Sequence, residues 1–187
     1  MAHSAGSTPA SVDGSPFAPA ELLDWQYSWR MPRLLHPNAA HVADILISRG
    51  HHGVVVTSPE PTSTAEAAAE SLGVSVGAIV KSLVFLLDDD PVLLLVSGAH
   101  QVNSNATGER LGGTLQRAPL DLVKLATDQP IGGIAPVGHP TNLATYVDES
   151  LSQYPELWAA AGHPNTIFRT TFKELLRITA GLAVDVT

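Results

Sequence analysis

The stretch IVKSLVFLLDDDPVLLLVS, residues 79–97, constrains this 187-residue chain more than any other. Two apolar runs, 79–87 and 92–97, flank an Asp-Asp-Asp-Pro break and read as the arms of a β-hairpin. Neither arm alternates with polar residues, so neither has a wet face. The hairpin must lie at the centre of a sheet covered on both sides. One residue breaks the pattern. Strand alternation puts Ile79, Lys81, Leu83 and Phe85 on one face and Val80, Ser82 and Val84 on the other. Lys81 therefore shares a face with large hydrophobes, and no acidic residue lies within six positions of it. Desolvating an ammonium costs several kcal/mol unless an anion or acceptor meets it. The pattern alone leaves two outcomes: a lysine that snorkels or pairs with a carboxylate distant in sequence, or a cation held ready for a ligand.

Helices and strands interleave around the hairpin. Pro37 opens a helix over 37–49, with Ala39, Val42, Ala43 and Leu46 at helical spacing and Gly50 as its stop. A short strand over 53–57 follows. A capping box, Ser63-Thr64-Ala65-Glu66, then starts an alanine-rich helix that closes at Gly73. Further helices are predicted near 105–111 and 119–127, and strands at 144–147, 157–161 and 166–169. A second capping box, Thr171-Phe172-Lys173-Glu174, begins a last helix that places Phe172, Leu175, Leu176 and Thr179 on one face and ends at Gly181 before the strand LAVDV. This order predicts an α/β domain with a mixed, curved, barrel-like sheet flanked by helices. The length supports one such domain, 37–187. Residues 1–20, rich in Ser, Ala, Gly and Pro, read as a flexible tail. Residues 21–36 form an N-terminal extension holding two of the three Trp residues, which either covers the domain's own core or docks on a partner.

Composition removes several chemistries. With no cysteine there is no disulfide, thiolate nucleophile or Cys-ligated zinc. No Gly-rich phosphate loop, G-x-S-x-G elbow or H-E-x-x-H helix occurs. The eight His residues lack ligand spacing with carboxylate company, so neither metal nor other cofactor is expected. The N-terminus has no leader pattern and no stretch reaches membrane-spanning length, which points to a cytoplasmic protein with no membrane partner. Ten Lys+Arg against 18 Asp+Glu give a net charge of -8, which opposes non-specific capture of nucleic acid and predicts a shallow salt dependence for any such binding.

A second feature is Gly132-Gly133-Ile134-Ala135-Pro136-Val137-Gly138-His139. Successive glycines let backbone N–H groups converge on an oxygen, so a nest or oxyanion pocket is available here. A plain turn between strands is the other reading.

Taken in order, the capped helix before Gly73, "IVKSLVF", "LLLVSG", "IGGIAPVGH", "YVDES" and "AAGHPNTIFRTTFKELLRITAGLAVDV" resemble the YbaK/ProX family. Those proteins are free-standing aminoacyl-tRNA deacylases related to the editing domain inserted in bacterial prolyl-tRNA synthetases. The resemblance runs from about residue 37 to the C-terminus. It implies trans-editing: metal-independent hydrolysis of the ester joining a wrong amino acid, of proline, alanine or cysteine type, to a tRNA 3′ end. A non-catalytic module binding a tRNA end or an aminoacyl-nucleotide is the alternative on the same fold. The resemblance implies Lys81, Gly132 and Gly133 as catalytic residues, Lys81 by positioning the terminal adenosine and the glycines by N–H donation to an oxyanion. It implies Thr64, Pro136, Gly138, His139, Gly162 and His163 as substrate-binding residues. The implied partners are the aminoacyl-tRNA 3′ end and a synthetase, prolyl-tRNA synthetase first. Three places in the sequence depart from or colour the pattern. Asp128-Gln129 stands where many members carry a Gly-aromatic pair, and Ile167 where some cysteine-specific members carry an acidic residue. Thr62, Ser63 and Thr64 would give a small polar rim.

Overall fold

Local capping fixes where the helices start. The computed structural model describes residues 35–51, 54–58 and 64–187. The expected tail, nearly all of the extension, and Thr62 and Ser63 lie outside these residues. Helix α1 (Pro37–Ser48) is capped by His36, whose ring nitrogen accepts from Asn38 N, and buries Ala39, Val42 and Leu46. Helix α2 (Ala65–Leu72) starts one residue later than its capping box predicts. Thr64 is the N-cap, and its hydroxyl accepts from Ala67 N at 3.2 Å, so Glu66 falls short of the position that would close the box. Helices α3 (Ser104–Leu111) and α4 (Leu120–Thr127) follow Asn103 and Pro119. In α5 (Phe172–Thr179) the Thr171 hydroxyl accepts from Glu174 N at 3.3 Å, while the Glu174 carboxylate turns to Arg177 at 2.7 Å. None of these helices is long and apolar enough to cross a membrane.

The strands are β1 (Val55–Thr57), β2 (Ile79–Leu87), β3 (Asp90–Ser97), β4 (Leu115–Arg117), β5 (Ala144–Asp148), β6 (Leu157–Ala160), β7 (Thr166–Thr170) and β8 (Leu182–Val184). They form one mixed sheet in the order β1-β7-β6-β2-β3-β5-β8, with β4 attached to β2 outside that path. Its end strands do not pair with each other, so the sheet is open and the barrel suggested by the sequence does not close.

The β2–β3 hairpin sits at the centre, as its composition requires. Its turn is tighter than Asp-Asp-Asp-Pro suggests: Leu87 pairs with Asp90, leaving a two-residue loop in which Asp88 takes φ 56°. Aspartate is among the few residues that enter the left-handed region readily. On one face of the hairpin Val80, Val84, Leu93 and Leu95 pack into the main core with Val42, Leu46, Phe168, Leu175 and Ile178. On the other face Phe85, Val92, Leu94 and Val96 pack with Leu115, Val184 and Val186. Val92 to Ser97 are all buried.

The outer edge of β2 is shared by two neighbours that do not meet. β6 runs parallel to it at Ile79 and Val80, and β4 runs antiparallel at Phe85, Leu86 and Leu87. Neither strand supplies a register partner for Lys81, Ser82, Leu83 or Val84. The sheet is therefore split beside the middle of its central strand, at the position of the misplaced charge.

Candidate active site

A cavity of about 520 Å³ occupies this split and reaches both faces of β2. Gly98 N donates to Ile79 O, so the odd-numbered residues of β2 bond β3. By alternation, the main-chain N–H and C=O of Ser82 point into the split. On the Lys81 face the lining comes from α2 (Thr64, Glu66, Ala68), from Arg117 and from Trp158 and Ile167. On the Ser82 face it comes from Val80, Val84, Ala118, Val123, Ile134 and Ala159, with Gly132 beside them. One face is thus polar and cationic, and the other is a small apolar chamber.

Lys81 is half-buried. Its ammonium donates to Gly98 O at 3.3 Å and to His100 O, which engages two of its three donors. Burial pushes its pKa below the ordinary lysine value, while the nearby carboxylates of Glu66 and Asp148 pull it back up. Lys81 therefore neither snorkels to bulk water nor forms a direct ion pair: it is seated on two carbonyls. The turn that carries them is tightly docked. A Cβ at Gly98 would lie 2.1 Å from Val76 O, and His100 N donates to Ser97 O at 3.0 Å. Behind the turn stands Asp148, 1% exposed. One of its oxygens accepts from Ser97 N at 3.1 Å and lies 3.1 Å from His100 Nδ1; the other accepts from Ser150 N at 2.9 Å.

The glycine loop approaches from the opposite face. Gly132, at φ 83°, lines the cavity. Gly133 does not, and its N–H donates to Pro130 O at 2.9 Å, so the pair of oxyanion donors implied by the resemblance is reduced to Gly132 in this conformation. A Cβ on Gly133 would lie 2.4 Å from His163 C, which explains why glycine stands there. Gln129 staples the loop. Its amide oxygen accepts from Ala135 N at 2.7 Å, and its amide nitrogen donates to Val137 O and Gly138 O, each at 3.3 Å. The departure at Asp128-Gln129 thus has a structural role.

The sequence-derived site residues fall into three places. Thr64, Lys81 and Gly132 share the large cavity. Gly133, Gly162 and His163 pack together beside α1. There His163 stacks on His36 at 4.4 Å between ring centroids, and its pKa is lowered first by desolvation and then by His36. Pro136, Gly138 and His139 line a separate cavity of about 30 Å³ with Arg49 and Asn142. The ring of His139 bonds Ala135 O at 2.9 Å, and burial lowers its pKa against that bond.

Sequence reasoning missed Arg117, Trp158, Ser82, His100 and Asp148. Arg117 stands 5.9 Å over the Phe85 ring, at the cavity, and has no carboxylate partner among the described residues. Ser82 and Trp158 line the cavity, and their Oγ and Nε1 atoms are buried with no hydrogen-bond partner. The signal for Arg117 was faint, a three-residue strand, Leu-Gln-Arg, with no pattern to mark it. Asp148 was visible only as part of "YVDES". Among the described residues, no three ligating side chains come together in a form that could hold a metal ion.

A family model described as "aminoacyl-tRNA editing domain" matches residues 59–178. A solved structure provisionally described as a trans-editing enzyme for prolyl tRNA synthetase superposes with a TM-score of 0.76 at 44% identity, covering 82% of this chain and 98% of that one. The uncharacterised protein YwhH of Bacillus subtilis is 34% identical over 122 residues, 64% of this chain and 78% of its own length. A protein of Enterococcus faecalis, provisionally named Cys-tRNA(Pro)/Cys-tRNA(Cys) deacylase EbsC, is 26% identical over 126 residues, 66% of this chain and 77% of its own.

Proposed function

The chain belongs to the aminoacyl-tRNA editing domain family, and we propose that it is a cytoplasmic trans-editing deacylase that hydrolyses the ester of mischarged tRNA without a metal ion. The observation that carries this reading is the cavity in the sheet split, with a carbonyl-seated lysine on one face and an apolar chamber on the other.

An aminoacyl-adenosine has a polar part and a small acyl part joined at the ester, and the cavity has matching parts joined at the β2 edge. The third N–H of Lys81 holds the ribose or phosphate of the terminal adenosine, a positioning role more than an acid–base one. Arg117 takes a phosphate of the preceding nucleotide. The acyl group rounds the free edge into the chamber of Val80, Val84, Ala118 and Ala159, where Ser82 stands at its wall. Water adds to the ester carbonyl, and the oxyanion that forms is stabilised by the Gly132 N–H, a contribution of roughly 3 kcal/mol in comparable sites. Collapse of that intermediate breaks the acyl–oxygen bond, and the ribose oxygen leaves with a proton. The resemblance to a trans-editing enzyme for prolyl tRNA synthetase supports tRNA(Pro) and its synthetase as first partners to test.

The test is deacylation of one tRNA(Pro) carrying proline, alanine, serine or cysteine. Ester loss that disappears in Lys81→Ala is the expected result. Absence of turnover for every acyl group at micromolar protein refutes catalysis; tight binding of a 3′-amide analogue in the same experiment would instead select the binding module.

A further inference from the structure

We infer that Asp148 is a positioning residue for Lys81: it fixes the turn whose carbonyls seat the ammonium and supplies a negative charge without touching it. The inference rests on the reading of the cavity as the site where Lys81 meets its ligand.

The contacts form a continuous chain. The Asp148 carboxylate accepts from Ser97 N at the start of the turn, 3.1 Å, and sets the same oxygen 3.1 Å from His100 Nδ1 at its end, a contact without hydrogen-bond geometry. The same turn presents Gly98 O and His100 O to Lys81. Its remaining freedom is removed by Ser97, whose hydroxyl donates to Gly77 O at 2.9 Å and accepts from Ala99 N at 3.3 Å. No side chain could replace the hydrogen of Gly98 against Val76 O.

This arrangement solves a chemical problem. An ammonium lifted out of water needs a compensating charge. A carboxylate in direct contact would supply it but would occupy the N–H that a ligand needs and offer the ligand a competing anion. A carboxylate one residue layer behind two carbonyls supplies the charge through a medium of low dielectric and leaves one donor free. Three groups with titratable side chains surround Lys81: Glu66 of α2 on the cavity side, and His100 and Asp148 behind the seat. Glu66 is exposed and Asp148 is buried. Salt therefore screens the first and spares the second.

The chain has three lysines, 81, 124 and 173, so the ¹³Cε resonance of Lys81 can be followed from pH 7 to 11 in the full-length protein without any turnover. In Asp148→Asn, which keeps the shape of the side chain and an acceptor for one of the two N–H groups of Ser97 and Ser150, the Lys81 titration is expected to move to lower pH by at least about half a unit. The shift should persist in 0.5 M salt, and the basic limb of deacylation should move with it. Glu66→Gln should produce a shift that fades in the same salt. An unmoved Lys81 titration in a folded Asp148→Asn protein overturns the inference, whatever happens to the rate. Should that variant not fold, His100→Ala removes the imidazole that stands 3.1 Å from the carboxylate at one end of the turn, while keeping both carbonyls and the carboxylate. It is expected to perturb the Lys81 ¹³Cε shift at neutral pH and to lower kcat several-fold with KM changed less, and an unchanged resonance with unchanged kcat overturns the inference. A shift of the resonance in a protein that deacylates nothing would sustain the seat and refute the enzymatic reading.

Discussion

Replacing Gln129 by Leu separates the stapling of the glycine loop from simple burial. Gln129 is 4% exposed, and its side chain makes three hydrogen bonds to the loop it follows into. The Ala135 N–H, on a residue with no exposure at all, loses its acceptor in the variant. A buried donor left unsatisfied costs about 1–3 kcal/mol. The carbonyls of Val137 and Gly138 lose longer bonds, each worth roughly 0.5–1 kcal/mol net. Leucine restores apolar contact of similar volume, so the sum is a destabilisation of about 2–5 kcal/mol, or a fall in Tm of roughly 10 °C for a domain of this size. Urea unfolding measures the first quantity. Because Gly132 lies within the loop that Gln129 closes onto Ala135, Val137 and Gly138, kcat for a mischarged tRNA should fall at least tenfold at a temperature where the variant is fully folded. A stability loss below about 1 kcal/mol would refute the hydrogen-bond accounting. A full stability loss with unchanged kcat would refute the link between the staple and the oxyanion donor.

Lys81 should make rate and stability respond to pH with opposite signs. Its folded-state pKa lies below the ordinary value, chiefly through burial. Between that lowered value and about 10.4 the unfolded chain holds a proton the folded chain has lost, so this residue's contribution to stability rises with pH. If deacylation uses the ammonium, as proposed, its rate should fall through the same window. Tm and kcat of the wild type from pH 7 to 10.5, with Lys81→Met as the Tm control, check both signs; a rate flat to the top of the range excludes the ammonium. Arg117→Ala should weaken tRNA binding and reduce the log–log salt slope by roughly 0.7–0.9, the value for one phosphate contact, while leaving hydrolysis of an aminoacyl-adenosine unchanged. Equal losses on both substrates would remove the phosphate role. Trp158→Phe keeps the ring packing but deletes the unpartnered N–H, and is expected to raise KM about fivefold if that donor meets substrate; an unchanged KM means that it does not. Gly133→Ala forces a methyl to 2.4 Å from His163 C and should destabilise the protein by about 2 kcal/mol or more, read as a lower urea midpoint.

How much of this could be read from residues alone depended on how far each signal travels along the chain. The hairpin, the face assignments of β2 and most helix ends are local: an apolar run, a period of two, a capping hydroxyl. They were legible, with errors of a residue or so where Thr64 displaced Ser63 as the cap and where Asp90-Pro91 joined β3 instead of the turn. What was not legible is the split itself. It exists because β6, 70-odd positions downstream, and β4, a fragment with no periodicity, attach to different ends of one strand edge. Without that knowledge, Lys81 and the glycine loop belong together only by family order. In the structure they approach from opposite faces and meet around an edge. Asp148 was hidden for the same reason: its 51-residue separation from Ser97 gives no pattern to find.

The split also reconciles an acidic protein with an anionic partner. Arg110, Arg169 and Arg177 are each matched to a carboxylate, at 2.9, 2.6 and 2.7 Å. They project little net charge. The cations that line the cavity, Lys81 and Arg117, are not so matched. Positive potential is thus concentrated where the sheet opens, within a chain of net charge -8. A phosphate backbone passing over the rest of the surface meets repulsion. A single-stranded end that enters the split would meet two cations against one exposed carboxylate, Glu66. On the proposed function, recognition is tied to insertion of a 3′ terminus, and continuous duplex, which has no end to insert, should compete poorly for the site at any salt concentration that preserves the fold.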